Sequence, residues 1–171
     1  MIKNDGWIKQ FAKAGGIAPF NPDAVNPASY DISLGGQVIL FRGDKKNARQ
    51  EWDLSNNGSL MLHPGEKALV VTQEYLTTPK DIAITARLKS SLTRQMILSP
   101  MGLFIDPGFH GRITFCLINM GDVAYELRFG RRVGQFIFHT LSEPAEVPYG
   151  DKRRKSHYQG SSGLTENKST L

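Results

Sequence analysis

From Ser29 to Phe41 the chain alternates, with Tyr30, Ile32 and Leu34 set against Asp31 and Ser33, then a glycine pair, then the unbroken apolar run Val38 to Phe41. Period-two alternation predicts a half-buried strand with Asp31 pointing away from the core-facing side, and the run predicts a buried continuation. "LMLHPGEKALVVTQEYLTTP" reads as two strands around a Pro64-Gly65 turn, and "DIAITARLKSSLTRQMIL" opens as a strand with Ile82 and Ile84 on one face. "GRITFCLINMG" and "RRVGQFIFHTL" add two more. Helical spacing is confined to the start, where Trp7, Ile8, Phe11 and Ala12 precede Gly15-Gly16, a helix stop. The pattern predicts eight to ten strands and one or two short helices: a mostly β fold, a sandwich or a barrel of jelly-roll type, with a short N-terminal helix.

Composition narrows the class. With 171 residues and 40% hydrophobic side chains the chain is expected to form one domain with a real core, and 17 glycines and nine prolines suit short strands and turns. A single cysteine, Cys116, cannot form an internal disulfide. No apolar export segment or run of eighteen apolar residues is present, so the expectation is a soluble, cytoplasmic protein without a membrane partner. The net charge of +5 is concentrated in "GRR" (130–132) and "KRRK" (152–155). It favours an anionic partner, and composition does not separate a nucleic acid backbone from a small phosphorylated ligand. After Pro148 the chain turns polar, basic and rich in Ser and Gly, which predicts a β domain over 1–148 and a flexible C-terminal segment over 149–171 that an anion orders.

Three stretches carry candidate chemistry. "RLKSSLTR" (87–94) sets three cations and two hydroxyls at a strand end, the groups a triphosphate needs, although an ordinary capped loop has the same composition. "IDPGFHG" fixes the Asp106 carboxylate beside a Pro107-Gly108 turn and the Phe109 ring, fit to grip a sugar hydroxyl or orient a water; Asp is also a routine turn-starter. "HYQGSSG" places Tyr158 and Gln159 in a setting suited to closing over a ligand.

Taken in order, "NPASYDISLG", "LHPGE", "LKSSLTR", "GLFIDPGFHGRIT", "GRRVGQFIF" and "SEPAEVPYG" followed by "HYQG" resemble the dCTP deaminase and trimeric dUTPase family over nearly the whole length. The deaminase branch, including bifunctional deaminase–dUTPases, is the nearer one. The resemblance implies a distorted β-barrel or jelly-roll subunit, a homotrimer with sites between subunits, Mg²⁺ on the triphosphate of a deoxynucleotide substrate, a closing C-terminal lid, and no nucleic acid partner. It implies that Lys89, Ser90, Ser91 and Arg94 handle phosphate, with Lys89 where arginine is usual. Asp106 would hold the deoxyribose 3′-hydroxyl and help activate water, Phe109 would pack on the deoxyribose, and Gln135 would contact phosphate. Asp31 would reach the metal through water, and Tyr158 and Gln159 fall in the lid.

Cys116 departs from the pattern, because the resemblance implies a proton-shuttling glutamate there, ten residues after Asp106. Strand alternation puts Cys116 with Arg112 and Thr114, on the face that would see ligand. A thiol of pKa ~8.5 is a weak substitute for a carboxylate in proton transfer. "RQMILSPMGLFID" is one residue shorter than the family's base-recognising segment. In the tail His157 stands where lysine is usual and Ser161 where glutamine is usual. Phosphate hydrolysis rests on positioning and charge neutralisation and survives loss of the glutamate. The leading expectation is therefore hydrolysis of dUTP, or of a related or modified deoxypyrimidine triphosphate, to the monophosphate and pyrophosphate. The alternatives are a dCTP deaminase with a relocated proton shuttle and a non-catalytic nucleotide-binding or regulatory trimer.

Overall fold

The computed structural model describes residues 1–43, 49–56, 58–100 and 103–168. Met101 and Gly102, inside the segment expected to choose the base, and the last three residues of the expected lid lie outside the described residues. A helix α1 (Asp5–Lys13) is followed by strands β1 (Ile17–Ala18), β2 (Val25–Asn26), β3 (Ser29–Phe41), β4 (Arg49–Asp53), β5 (Ser59–Leu62), β6 (Lys67–Thr77) and β7 (Ile82–Leu88). A one-turn helix α2 (Ser90–Thr93) then precedes β8 (Ile97–Leu98), β9 (Leu103–Ile105), β10 (His110–Asn119), β11 (Tyr125–Arg128) and β12 (Arg132–Thr140). The fold is mostly β with one short N-terminal helix, as expected. The strand number exceeds the expectation because β1, β2 and β8 are two-residue pairings, too short to show a period.

The main sheet runs β8-β10-β6-β3-β12-β7-β9, with β1 on β6 and both β2 and β4 on β3, while β5 and β11 pair separately. This is a curled, open half-barrel. The strands flanking Pro64-Gly65 both form, and they serve different sheets: β5 joins β11, whereas β6 lies between β3 and β10.

Helix α1 starts at Asn4, whose side chain accepts the Trp7 N–H at 3.0 Å, a standard N-cap. Its apolar stripe buries Ile8 and Ala12, and Trp7 stacks on Phe11 (4.9 Å between ring centres) with Phe138 against both at 5.6 and 5.4 Å. That cluster continues through Tyr30, Ile84, Phe136 and Phe109. A second core gathers Leu34, Val38, Val70, Phe115 and Leu117.

β3 passes between the two cores, and its register against β6 shifts between Leu34 and Val38, where the Gly35-Gly36 pair sits. A Cβ on Gly35 would lie 2.9 Å from the Val71 carbonyl, so only glycine allows β6 this close. Just before the shift the Ser33 N–H turns to a side chain, donating to both carboxylate oxygens of Glu74 at 3.0 Å.

Glu74 is 2% exposed. Burial pushes its carboxyl up to about 7 from the ordinary 4.5, against the opposing pull of the backbone N–H groups of Glu74 and Ser33 and the charge of Arg112. Below 4.5 the folded and unfolded chains both hold this proton, and between 4.5 and about 7 only the folded chain does. The stabilisation is therefore complete in acid and is lost as pH rises through about 7, on the order of 3 kcal/mol by linkage. Glu74→Gln should remove that slope and leave the variant more stable than the parent above pH 7, measured as denaturant midpoints from pH 4.5 to 8. Identical pH slopes in the two proteins would refute this role for Glu74.

Candidate active site

Two groups of polar residues stand apart on the fold. The first is built across β3, β12 and β7, where Asp31 pairs with Gln135 and Gln135 with Arg87, so all three share one face. Asp31 faces away from Tyr30 and Ile32 as expected, yet it is only 2% exposed. Its neighbours cover it: Asn26 Nδ2 donates at 2.9 Å, Gln135 Nε2 at 3.2 Å and Lys89 Nζ at 2.6 Å, with Arg132 Nη1 at 3.6 Å. A carboxylate this enclosed is stable only when paired.

Lys89 lies where β7 ends and α2 begins, so its ammonium reaches back to Asp31 while the following turn carries Ser90 and Ser91 outward. Ser90, Ser91 and Arg94 are exposed, and no ion pair of Arg94 occurs among the described residues. Lys89, Arg94, Arg87 and Arg132 thus edge one cationic shelf with two free-facing hydroxyls beside it. Among the described residues no three His, Cys, Asp or Glu side chains gather as a metal cage. Asp31, already met by two cations and two amides, does not fit direct ligation of a divalent ion.

The second group lines a cavity of about 770 Å³. Asp106 follows β9 and opens the predicted Pro107-Gly108 turn, which closes with the Phe109 N–H on the Asp106 carbonyl at 3.2 Å. Gly108 has φ of 86°, and a Cβ there would strike Pro148 at 2.6 Å, so glycine serves both the turn and the close passage of the chain beyond Pro148. Phe109 is 6% exposed and meets Tyr149 edge to face at 5.6 Å. Along β10, Ile113, Phe115 and Leu117 are buried and Arg112, Thr114 and Cys116 alternate with them, as predicted. The Cys116 thiol makes a single long contact, 3.8 Å to the Leu117 carbonyl, and burial pushes it above its ordinary value of 9.0 against the opposing charge of Lys67. It is a protonated thiol near neutral pH, poor as a base and as a nucleophile.

The chain from Tyr149 onward runs back along β10. Gly111 and Ser161 form a parallel bridge, Arg112 N–H donates to the Ser161 carbonyl at 2.7 Å, and Thr165 N–H donates to Thr114 Oγ1 at 2.9 Å. Gln159 is a clip: Oε1 accepts from His110 N–H at 3.2 Å, while Nε2 reaches the Gly108 carbonyl at 3.0 Å and His110 Nδ1 at 2.8 Å. Its amide is spent inside the chain. Tyr158, 37% exposed, lines the cavity, with its hydroxyl 3.5 Å from Asn167 Oδ1. Arg49 pairs with Glu166 at the far end.

The structure therefore brings Asp31, Lys89 and Gln135 together beside Ser90, Ser91 and Arg94, and separately brings Asp106, Phe109, Cys116 and Tyr158 together. It does not join the groups: Ile105 pairs with Ile84, five residues before Lys89, which sets their backbones about 17 Å apart along β7. Sequence reasoning missed Glu74, Arg112, whose guanidinium holds the Thr72 and Gln73 carbonyls at 3.2 and 2.5 Å, and the cavity-lining Tyr149 and Glu166. Glu74 had one legible sign, a carboxylate between Thr72 and Leu76 on the inward face of a strand.

A family model described as dCTP deaminase-like matches residues 2–141. The chain is 38% identical over 183 residues to a "dCTP deaminase, dUMP-forming" of Bifidobacterium longum (strain DJO10A), covering 99% of this chain and 94% of that protein. It is 36% identical over 182 residues to the protein of the same name from Nocardioides sp., covering 99% and 95%. Among solved structures, the 2′-deoxycytidine 5′-triphosphate deaminase of Agrobacterium tumefaciens superposes with a TM-score of 0.70 at 24% identity, over 81% of this chain and 47% of that one. The match across the β domain and the whole-length identity lead to one assignment: this chain belongs to the dCTP deaminase-like family.

Proposed function

We propose that the protein acts on a deoxycytidine triphosphate, deaminating the base and releasing the uracil nucleotide as the monophosphate, the outcome for which its relatives are named. The observation that carries the reading is the split site: a cationic shelf with exposed hydroxyls at the end of β7, and, displaced from it along that strand, a nucleoside-sized cavity containing Asp106 and Phe109.

Ser90, Ser91 and Arg94 bind and neutralise the phosphates, with Gln135 as a further amide donor, and Lys89 anchors the shelf through Asp31. Asp106 accepts from the sugar hydroxyl and orients the water that attacks phosphorus, while Phe109 gives the sugar an apolar wall that disfavours a 2′-hydroxyl. Tyr158 closes the cavity from the tail, and Gln159 latches the tail to the Gly108 turn. A magnesium ion would arrive with the triphosphate, since Mg²⁺ is typically held by substrate phosphates and waters with few protein ligands. No step here depends on it.

Within one chain the two groups are separated by about 17 Å of backbone along β7. The site is complete when the shelf of one copy meets the cavity of another, as in a closed homotrimer. Light scattering on the purified protein should give about three times 19.0 kDa; a monomer at micromolar concentration contradicts the shared site.

The protonated thiol of Cys116 favours a second reading, hydrolysis of dUTP or a related deoxypyrimidine triphosphate without deamination. Products resolved after incubation with dCTP and with dUTP separate the two. Deamination gives ammonia from dCTP, hydrolysis alone gives pyrophosphate without ammonia, and binding with neither product marks a nucleotide-binding protein. Asp106→Asn should lower pyrophosphate release by a factor on the order of 10² or more with nucleotide binding retained, because an amide cannot deprotonate water. Unchanged pyrophosphate release would remove Asp106 from the chemistry.

A further inference from the structure

Hydrolytic deamination needs one group that takes a proton from water and returns protons to the ring and to the leaving amine, a contribution of roughly 10²–10⁴-fold. The ionisable side chains lining the cavity among the described residues are Asp106, Arg112, Cys116, Tyr149, Tyr158 and Glu166. An arginine does not give up its proton, and Arg112 is committed to two backbone carbonyls. A phenol hydroxyl is a hydrogen-bond donor and a poor acceptor of a water proton. The Cys116 thiol is held protonated by burial. Two carboxylates remain: Asp106, in the turn beside Phe109 and given to the sugar in the reading above, and Glu166, on the C-terminal tail.

The tail brings Glu166 to the cavity by a specific path. It is held on β10 at the Gly111–Ser161 bridge and the Thr165–Thr114 hydrogen bond and reaches from there toward β3 and β4, so Glu166 lines the same cavity as Cys116. Leu164 N–H donates to Gln37 Oε1 at 2.7 Å, and Arg49 pairs with the Glu166 carboxylate itself. The side chain is 49% exposed and stands between this cavity and a second pocket over β3 and β4 that Arg49 also lines.

We propose that Glu166, brought to the wall of the cavity by the C-terminal tail, is the proton-transfer residue for deamination. The inference rests on the deaminase reading above. In the step, water oxygen bonds to cytosine C4 while Glu166 takes one water proton and passes it to N3. The carboxylate then takes the proton of the new C4 hydroxyl and gives it to the amino group as the C4–N bond breaks. Ammonia leaves, the C4 carbonyl forms, N3 keeps its proton, and the carboxylate is regenerated. Arg49 is a positioning residue.

The test uses the full-length protein with dCTP and reads ammonia release, dCTP affinity and the pH–rate profile. Glu166→Gln should lower the deamination rate by about 10²-fold or more, leave the dCTP dissociation constant within a few-fold, and abolish the acidic limb of the profile. Glu166→Asp should recover part of the rate with the limb restored. Arg49→Gln, which frees the carboxylate without removing it, should raise KM more than it lowers kcat and keep the limb. Deamination by Glu166→Gln at the parental rate, or a loss explained wholly by weaker dCTP binding, overturns the assignment and leaves the deaminase reading standing. If the unmodified protein binds dCTP and releases no ammonia, the deaminase reading fails first and the assignment with it.

Discussion

The contact between Glu74 and the backbone N–H of Ser33 lies where the sheet changes hands. β3 is one continuous strand, but its first half is bound to β12 and its second to β4 and β6, and the ladder is broken where Gly35-Gly36 bends it. A broken ladder inside a core leaves a donor without a partner, and such a donor is costly when buried. Glu74 supplies the acceptor from the opposing strand. The bend follows the point at which β3 passes from one apolar core, with Tyr30 and Ile32, to the other, with Leu34, Val38 and Leu40.

The candidate site has two parts. The cationic shelf depends on a buried ion pair, Lys89 with Asp31, and on exposed groups arranged around it. The cavity depends on a tight turn, one buried ring and a tail laid along β10. Nothing in the structure explains why the Cys116 thiol is there; burial pushes it above its ordinary value.

Much of this was legible in the chain. Alternation placed Arg112, Thr114 and Cys116 on one face of β10, and the Pro-Gly turn after Asp106 formed as its residues require. Alternation also set Asp31 away from the core, but strand period reports the side on which a residue lies and not what covers that side. The cover comes from Lys89 and Gln135, 58 and 104 positions away. The 17 Å gap between the two groups was equally hidden, since it depends on the β7–β9 register. Glu166 was lost among the polar residues of a tail whose composition reads as featureless. Its position is set by hydrogen bonds to Thr114 and Gln37, which leave no trace in local sequence.

The central claim is that the shelf of one copy and the cavity of another make a single site, and subunit mixing tests it directly. Asp106→Asn damages only the cavity and Arg94→Ala only the shelf, so each homo-oligomer should be inactive. Co-refolding the two in equal amounts should assemble intact sites at roughly a quarter of the positions by random pairing and restore turnover of the nucleotide accordingly. Mixed oligomers, confirmed as such, that remain as inactive as either parent would show that both groups must come from one chain.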